Sequence, residues 1–466
     1  MGALALAVLA PEGTARASGF LSDQFGSDQG DPALGNVYAV YFNPAAMAGM
    51  HGSEITLDGV IAARSLDYTR PTSALTSTSA YTGSPGSYPY YQGSNSGKAT
   101  LFNVLSAPFG GFVTDFGGSH ARLGVAAYVP FGGAATWGKN QAYGSSTEVP
   151  GGYDGPQRWS SISASTYSIY TTAAFAYRFD KPRIGLGVSV SGIYSTLQDT
   201  RARDADGSDN VVAGNGQVLE GRTYIDEKGA QIGASAGVYW EATKDGALRF
   251  GASYTSAPNF GTMRLKGTFA FSPGITTEST TSADLLQAYP DIIRWGAAWR
   301  ISPQTELRLD GDWERWSNFK DQCVVQEGAS CPTNSQGAAP AASPNVLLDL
   351  PRNWKDSFKV RLGIGYWVTP DTELHASASW NSAPVDKHNE DPLIYDSTRL
   401  AGTVGVRHGF NRHFYGALSY TYIYVLPLTV NDSAYPNYAP PSTSPSTNGD
   451  YSSQLYVFDV ALGYRF

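Results

Sequence analysis

The sequence predicts an all-β fold, a transmembrane antiparallel β-barrel of about 14 strands whose N-terminal segment plugs the lumen as a hatch. Three observations carry this prediction. The composition is poor in charge and rich in Tyr and Gly, apolar residues alternate with polar ones over long stretches, and short links between these stretches alternate with long ones. All three are typical of a strand wall that meets lipid on one face and water on the other.

The composition suits such a wall. Charged residues are 15% of the 466 residues, well below the usual share of about a quarter, whereas aromatic residues are 13%, with 29 Tyr and 10 Trp. The mean hydropathy of -0.24 resembles that of a soluble protein, but alternating strands hide an apolar face from any average. The net charge of -8, without a basic stripe, argues against nucleic acid as a partner.

The first residues have the features of a secretion signal. Residues 3–10 form an apolar core and residues 15–17 (Ala-Arg-Ala) a small-x-small cleavage site, so residues 1–17 are expected to be a signal peptide and Ser18 the mature start. No positive region precedes the core, so we expect the signal to be incomplete. The core is too short to span a bilayer, and no run of about 18 apolar residues follows it. The prediction is an exported protein without transmembrane helices.

The alternation has a period of two, which predicts strands. Every even position between Phe358 and Val368 is apolar, while Lys359 and Arg361 lie on the odd face, and the last strand repeats the pattern up to Phe466. A soluble β-sandwich would turn the apolar face inward, and a membrane barrel would turn it to lipid. Strands of about ten residues or more, with aromatic residues near their ends, favour the barrel.

The link lengths separate the two folds best. Predicted strands lie near 53–65, 99–114, 122–131, 159–179, 183–196, 228–241, 247–258, 289–301, 305–317, 355–368, 372–382, 397–410, 413–425 and 453–466. The links within 115–121, 180–182, 242–246, 302–304, 369–371 and 411–412 are short and carry the Gly, Pro, Asp and Asn of tight turns. The links 66–98, 132–158, 197–227, 259–288, 318–354, 383–396 and 426–452 are long. This alternation is typical of periplasmic turns and extracellular loops.

Two cysteines, Cys323 and Cys331, lie in a stretch rich in Gly, Ser and Pro. In an oxidising compartment we expect them to form a disulfide that closes a small loop. A metal site would need further ligands nearby, and the surrounding sequence offers none, so neither a metal nor a cofactor is expected.

Residues 18–52 precede the first strand and do not alternate. A segment that is small and amphipathic can pack inside a lumen too wide for side chains alone to fill. Pro44 fixes φ and removes a hydrogen-bond donor, which suits irregular backbone; the alternative is a simple turn within the plug.

Five short segments are distinctive. Residues 18–21 (Ser-Gly-Phe-Leu) open the predicted mature chain, and residues 42–47 read Phe-Asn-Pro-Ala-Ala-Met. Residues 125–133 end in Pro-Phe-Gly-Gly, residues 350–356 (Leu-Pro-Arg-Asn-Trp-Lys-Asp) lead into a strand, and residues 462–466 end the last strand. In chain order these segments resemble the mature start, the NPAGM-type hatch motif, the third strand ending in PFG, the LPxxWKD lead and the terminal strand of the FadL/TodX family of outer-membrane transporters for long-chain fatty acids and aromatic hydrocarbons. Ala46 stands where Gly is more usual, and the resemblance covers essentially the whole mature chain.

The resemblance implies a monomer with a hatch at 18–52 and a barrel at 53–466. A ligand would land on an apolar loop groove, move to a lumenal pocket and leave sideways beside a kinked third strand. By match to the motifs, the hatch residues are Asn43, Pro44 and Ala45. The kink maps to Gly132 and Gly133, and adjacent Pro130 and Phe131 extend this lateral opening because proline weakens strand pairing. Alternatively, the strand ends at Phe131 and the glycines begin a loop.

The sequence itself suggests two further sets of residues. Apolar side chains on a long extracellular segment predict a ligand groove, unless they only pack the loops together: Phe260, Met263, Leu265, Phe269, Phe271, Leu285 and Leu286. Charged side chains on one strand face predict a lumenal ladder paired with Arg300 or Arg361, in preference to a ligand contact: Glu306, Arg308, Asp310, Asp312 and Glu314.

These observations predict passive transport of hydrophobic compounds across the bacterial outer membrane. The expected partners are a fatty acid, hydrocarbon or detergent ligand, membrane lipid and lipopolysaccharide. The rivals are a structural or adhesive barrel, a general diffusion porin and a barrel hydrolase. The hatch argues against the first two, and an enzyme is not expected, because His375 and Ser377 share a face without a third orienting group.

Overall fold

The computed structural model describes residues 25–75, 88–213, 217–274, 278–341 and 343–466. The predicted signal peptide and the mature start at Ser18 lie outside these residues. No helix in the described ranges is long and apolar enough to cross a membrane.

Fourteen strands form a closed antiparallel barrel, as predicted, and the ring closes where β1 pairs with β18 from Glu54 to Thr69. The wall strands follow the chain as β1 (Ser53–Arg70), β2 (Gly97–Thr114), β3 (Ala121–Thr136), β4 (Ser163–Phe179), β5 (Ile184–Arg203), β6 (Gly221–Glu241), β7 (Leu248–Thr255), β10 (Ile292–Ser302), β11 (Thr305–Glu314), β14 (Ser357–Thr369), β15 (Thr372–Asn381), β16 (Arg399–Gly409), β17 (Phe414–Val430) and β18 (Gly449–Arg465).

Four further strands lie in two connections that the sequence predicts to be loops. These are β8 (Thr262–Ser272), β9 (Ser279–Ala288), β12 (Asp321–Gln326) and β13 (Val346–Pro351). They pair in the order β8–β9–β12–β13, and β8 also pairs with the N-terminal part of β6, from Arg222 to Lys228. Residues 259–288 and 318–354 are therefore long connections between wall strands, as predicted, but they contain strands that were not predicted. We call this four-stranded extension the outer sheet.

The helices are short. Helix α1 (Ala39–Phe42) lies in the N-terminal segment and α2 (Tyr88–Asn95) in the first long connection. Single 3-10 turns occur at Ser27–Gln29, Pro44–Gly49, Thr72–Ala74, Gln141–Tyr143, Pro150–Asp154, Pro258–Phe260, Trp316–Asn318, Lys387–Asn389 and Tyr435–Asn437.

The barrel is apolar on the outside. Along β14, Phe358, Leu362 and Ile364 are exposed, and Phe102 on β2 is 71% exposed. Alternate residues point inward, where the wall is more polar. Rows of exposed aliphatic and aromatic side chains of this extent belong in contact with lipid. The long connections gather at one end of the barrel, which is the extracellular end in bacterial barrels.

Residues 25–52 lie against the inner face of the wall. Their hydrogen bonds reach two separate wall strands: Ser253 of β7 donates to the Phe42 carbonyl at 2.6 Å, and Arg361 of β14 donates to the carbonyls of Ser27 and Gly30. The wall approaches this segment closely at Gly187 of β5, where a Cβ atom would lie 2.3 Å from the Ala45 nitrogen. Glycine there removes the side chain that would collide with the segment.

Cys323 on β12 of the outer sheet forms a disulfide with Cys331 in the connection that follows this strand, with Cα atoms 6.3 Å apart. We therefore expect both thiols to resist alkylation in protein that is unfolded without a reductant. Mass spectrometry should find two added alkyl groups only after reduction. Alkylation before reduction would contradict the disulfide.

Candidate ligand pathway

The wall has a window between β2 and β3. The two strands pair only from Phe109 opposite Tyr128 to Thr114 opposite Leu123. Beyond the Phe109–Tyr128 pair, β2 continues to pair with β1, and β3 continues to pair with β4. Within the described strands, β2 and β3 no longer pair with each other there. Backbone contact returns where Gly138 donates to the Thr100 carbonyl at 2.9 Å. We call this opening, between 100–108 of β2 and 129–136 of β3, the β2–β3 window.

The window begins at a bulge in β3. The β3–β4 register shifts between Tyr128 and Phe131, so Val129 and Pro130 have no counterparts in β4. Pro130 has no N–H to donate to a ladder. Beyond the bulge, Gly132 and Gly133 continue the strand to Thr136, so the alternative in which the strand ends at Phe131 is wrong. The Phe131 side chain turns inward and packs on Tyr289, with ring centroids 4.7 Å apart.

A side-chain polar contact crosses the window. The Asn103 amide on β2 donates to the Ala134 carbonyl on β3 at 2.8 Å. A single side-chain hydrogen bond contributes about 0.5–1.5 kcal/mol, far less than a continuous ladder. The two edges are therefore held together weakly where the strands separate.

A mainly apolar cavity lies inside the barrel, below the outer sheet. Its apolar lining comes from both the wall and the outer sheet and includes Leu197, Ile225, Leu285, Val324, Leu350 and Leu393. Gly133 and Ala134 of β3 line it as well. The cavity thus touches the same stretch of β3 that borders the window.

The polar end of the cavity is an ion pair within β5. Both Nε and Nη2 of Arg201 lie against Asp199 Oδ2, at 2.6 and 2.5 Å, and both side chains are buried. This pair was not predicted from the sequence. The spacing of Asp199 and Arg201 could have indicated it, because residues two apart in a strand lie on the same face.

The structure separates the seven residues of the predicted ligand groove. Leu285 lines the lumenal cavity, whereas Phe269 and Phe271 line a second, outer groove of about 480 Å³. Arg203, Pro440 and Pro441 form other parts of the outer groove. These two phenylalanines of the set therefore face an opening at the extracellular end.

The other four residues do not form one surface. Met263 and Leu265 are fully buried in the main core rather than exposed, and Leu286 packs beside the disulfide. Phe260 is 64% exposed on the turn before β8. The alternative of loop packing therefore describes Met263, Leu265 and Leu286.

Asn43 anchors the N-terminal segment. It is fully buried, its amide donates to the carbonyls of Pro32 and Val238 at 2.9 Å each, and its Oδ1 accepts from the Ala45 nitrogen at 3.1 Å. Pro44 follows as the first residue of the 3-10 turn, where a missing N–H costs nothing. The side chain thus ties the irregular backbone both to itself and to β6.

Replacing Asn43 by Ala should loosen this segment. Each buried group left without its partner costs about 1–3 kcal/mol. We expect faster ion leak through liposomes that contain the variant, together with altered uptake of hydrophobic solutes. Asn36→Ala is the matched control, because the Asn36 amide donates only within the segment, to the Gln29 carbonyl. Equal leak in both variants and the wild type would refute the anchoring role.

The predicted charge ladder on β11 is present and its pairing is confirmed. Arg361 donates to Asp310 at 2.7 Å, and Arg300 lies 3.4 Å from Glu306. Arg308 joins Glu306 to Glu373. These pairs cross-link the inner wall.

His375 and Ser377 do not combine into a catalytic set. The His375 Nε2 atom lies 3.0 Å from the Ser419 hydroxyl, and Ser377 donates to Asp28 of the N-terminal segment. Both side chains have structural partners elsewhere.

A cluster of possible metal ligands among the described residues consists of Asp321, Cys323, Cys331 and Asp349. Because the two sulfurs are bonded to each other, only the carboxylates are left as ligands. Burial and the neighbouring Asp349 carboxylate raise the pKa of Asp321 to about 7. The pair therefore holds less negative charge at neutral pH than two free carboxylates would.

Comparison with known proteins identifies the family. Residues 25–466 match the model of the outer membrane protein transport protein family (OMPP1/FadL/TodX). The chain belongs to this family. It is accordingly an outer-membrane transport protein and not an enzyme.

Two proteins are similar to this FadL/TodX member in sequence. A putative outer membrane protein of Neisseria meningitidis is 20% identical over 412 residues, which cover 85% of this chain and 81% of the relative. A long-chain fatty acid transport protein of Salmonella typhi is 21% identical over 234 residues, 47% of this chain and 49% of that protein. The second match thus spans about half of each protein.

Solved structures share the fold. A FadL homologue of Pseudomonas aeruginosa superposes with a TM-score of 0.71 at 16% identity, covering 97% of this chain and 99% of that one. The toluene transporter TodX of Pseudomonas putida gives 0.61 at 14% identity, with coverage of 92% and 94%. At these identities the likeness establishes the barrel fold.

Proposed function

We propose that this family member admits hydrophobic compounds through the outer groove, holds them in the lumenal cavity and releases them sideways through the β2–β3 window into the membrane. One observation carries the proposal: Gly133 and Ala134 line the cavity and belong to the stretch of β3 that has left β2. A ligand in the cavity is therefore separated from the wall opening by one unpaired strand edge.

Physical chemistry favours this route over a water-filled pore. Each CH₂ group that remains in water costs about 0.8 kcal/mol relative to an apolar site. An apolar cavity beside a window lets the solute pass from one apolar environment to the next. A general diffusion porin would need an open lumen, and here residues 25–52 pack against the inner wall.

In this proposal, residues 25–52 act as the hatch, and Asn43, Pro44 and Ala45 are the part that must shift. Pro130, Phe131, Gly132 and Gly133 form the moving edge of the window. The chain works as a monomer with its outer face in lipid and lipopolysaccharide. The relatives' names, long-chain fatty acid transport protein and toluene transporter, mark out fatty acids and aromatic hydrocarbons as the ligand classes to test.

Uptake into cells tests the proposal. A bacterial strain without endogenous hydrophobic-compound transporters should take up radiolabelled toluene or oleate faster when it expresses this protein. Labelled glucose provides the control, because an open porin would accelerate its entry too. Faster glucose entry without faster entry of either hydrophobic solute would overturn the proposal.

A further inference from the structure

The polar end of the lumenal cavity has an acceptor without a donor. Asp199 lies in the cavity lining and is only 5% exposed. Its Oδ2 atom receives the Arg201 guanidinium, but its Oδ1 atom is buried and has no hydrogen-bond partner among the described residues. A buried acceptor left in this state is destabilising, so a ligand that supplies a donor gains the hydrogen bond that the carboxylate lacks.

Two cations at this end already have carboxylate partners. Arg201 is bound to Asp199, and Arg352, also fully buried, donates to Asp391 at 2.8 Å. Arg352 also donates twice to Gln322, another residue of the cavity lining. Arg203, two residues further along β5, lines the outer groove instead and donates to the Pro441 carbonyl. A carboxylate ligand beside Asp199 would therefore lose its hydration and meet a like charge, and neither Arg201 nor Arg352 would be free to compensate.

The rest of the cavity is apolar and does not favour a charged ligand of either sign. An ammonium group would suit the free oxygen, but burying a charge costs far more than burying a hydroxyl. A neutral hydroxyl group supplies one donor at low desolvation cost.

We propose that the cavity selects neutral hydroxyl-bearing hydrophobic molecules, such as long-chain alcohols and alkylphenols, over carboxylates, with Asp199 Oδ1 accepting a hydrogen bond from the ligand hydroxyl. This inference rests on the proposed transport function and names its substrate class. Asp199 is the specificity-determining residue, and Arg201 positions its carboxylate.

Binding of 1-octanol and octanoate to the full-length protein tests the inference, because these ligands share a chain length and differ in charge. The protein is placed in nanodiscs of dimyristoylphosphatidylcholine, and binding of ¹³C-labelled ligand is corrected for empty nanodiscs. We expect 1-octanol to bind the wild type at least about tenfold more tightly than octanoate, since like charges placed next to each other disfavour binding. Tighter binding of octanoate, equal binding of both, or binding of neither would each overturn the inference.

Removing the negative charge of Asp199 tests whether this residue sets the preference. Asp199→Asn keeps the shape and frees the Arg201 charge, so octanoate should bind at least about tenfold more tightly than to the wild type. Asp432→Asn is the matched control, because Asp432 pairs with Lys387 in an exposed connection, and it should leave both affinities unchanged. An unchanged ratio of the two affinities in Asp199→Asn would contradict the assignment.

A second variant distinguishes loss of the Asp199 charge from misfolding caused by an unpaired Arg201. Asp199→Asn/Arg201→Gln removes both charges and leaves no buried unpaired ion, and it should bind the two ligands with a much smaller difference than the wild type. If discrimination persists in this variant, Asp199 does not set it. The transport proposal is tested separately, because normal cellular uptake of toluene without discrimination between octanol and octanoate would refute the inference alone.

Discussion

Locking the β2–β3 window should stop hydrophobic uptake. With Asn103 and Ala134 both replaced by Cys, oxidation or a short bifunctional maleimide should join β2 to β3, because the Asn103 amide already reaches the Ala134 carbonyl at 2.8 Å. Cells with the joined protein should take up toluene or oleate at nearly the rate of cells without the protein. The reason is geometric: a covalent bridge between the two edges prevents them from separating. Reduction of the disulfide should restore uptake.

The matched control places the bridge where the strands are already paired. Phe112 and Val125 are partners in the β2–β3 ladder, so Phe112→Cys/Val125→Cys should be joined without loss of uptake. Full uptake by the joined window variant would refute sideways release. Equal inhibition by both bridges would refute the window as the site of the effect.

Alanine at Gly187 should displace the N-terminal segment and make the barrel leak ions. The new methyl group would meet the backbone at Ala45 N, Pro44 C and Ala45 Cα, at 2.3, 2.5 and 2.6 Å. Overpacking of this kind costs about 1–3 kcal/mol, and a change of 1 or 2 kcal/mol alters a population ratio by a factor of about 5–30. Conductance in planar bilayers should rise accordingly.

Gly192 on the same strand is the control for this variant. A Cβ atom at Gly192 has nothing within 4 Å, so Gly192→Ala changes strand propensity in the same way without touching the segment. Conductance that rises equally in both variants would contradict the steric explanation. Unchanged conductance in Gly187→Ala would mean that the wall accommodates the methyl group.

The wall strands were predictable because one physical rule governs them. A strand between lipid and lumen must alternate, as the row from Phe358 to Val368 does, and the last wall strand does the same. Strand β9 of the outer sheet obeys no such rule. Strand β9 (Ser279–Ala288) is exposed along its first residues and buried on both faces along its last six, so its sequence has no period of two.

The candidate ligand pathway could be predicted only in part from the sequence, for a related reason. Pro130 and the two glycines after it mark the bulge, because proline cannot donate and glycine leaves space. The extent of the window depends instead on where β2 stops pairing with β3, and nothing in residues 97–108 of β2 distinguishes a paired edge from an unpaired one. The cavity joins side chains from distant parts of the chain, such as Leu197, Leu285 and Leu393, which only the closed barrel brings together.

The outer sheet has a practical consequence for anyone who shortens this protein. Its strands come from two separate excursions of the chain, β8 and β9 from one and β12 and β13 from the other, and β9 pairs with β12 where the two excursions meet. Trimming one excursion would leave β9 or β12 with a bare edge, and such edges recruit other chains. A minimal barrel therefore requires both excursions to be cut in the same design.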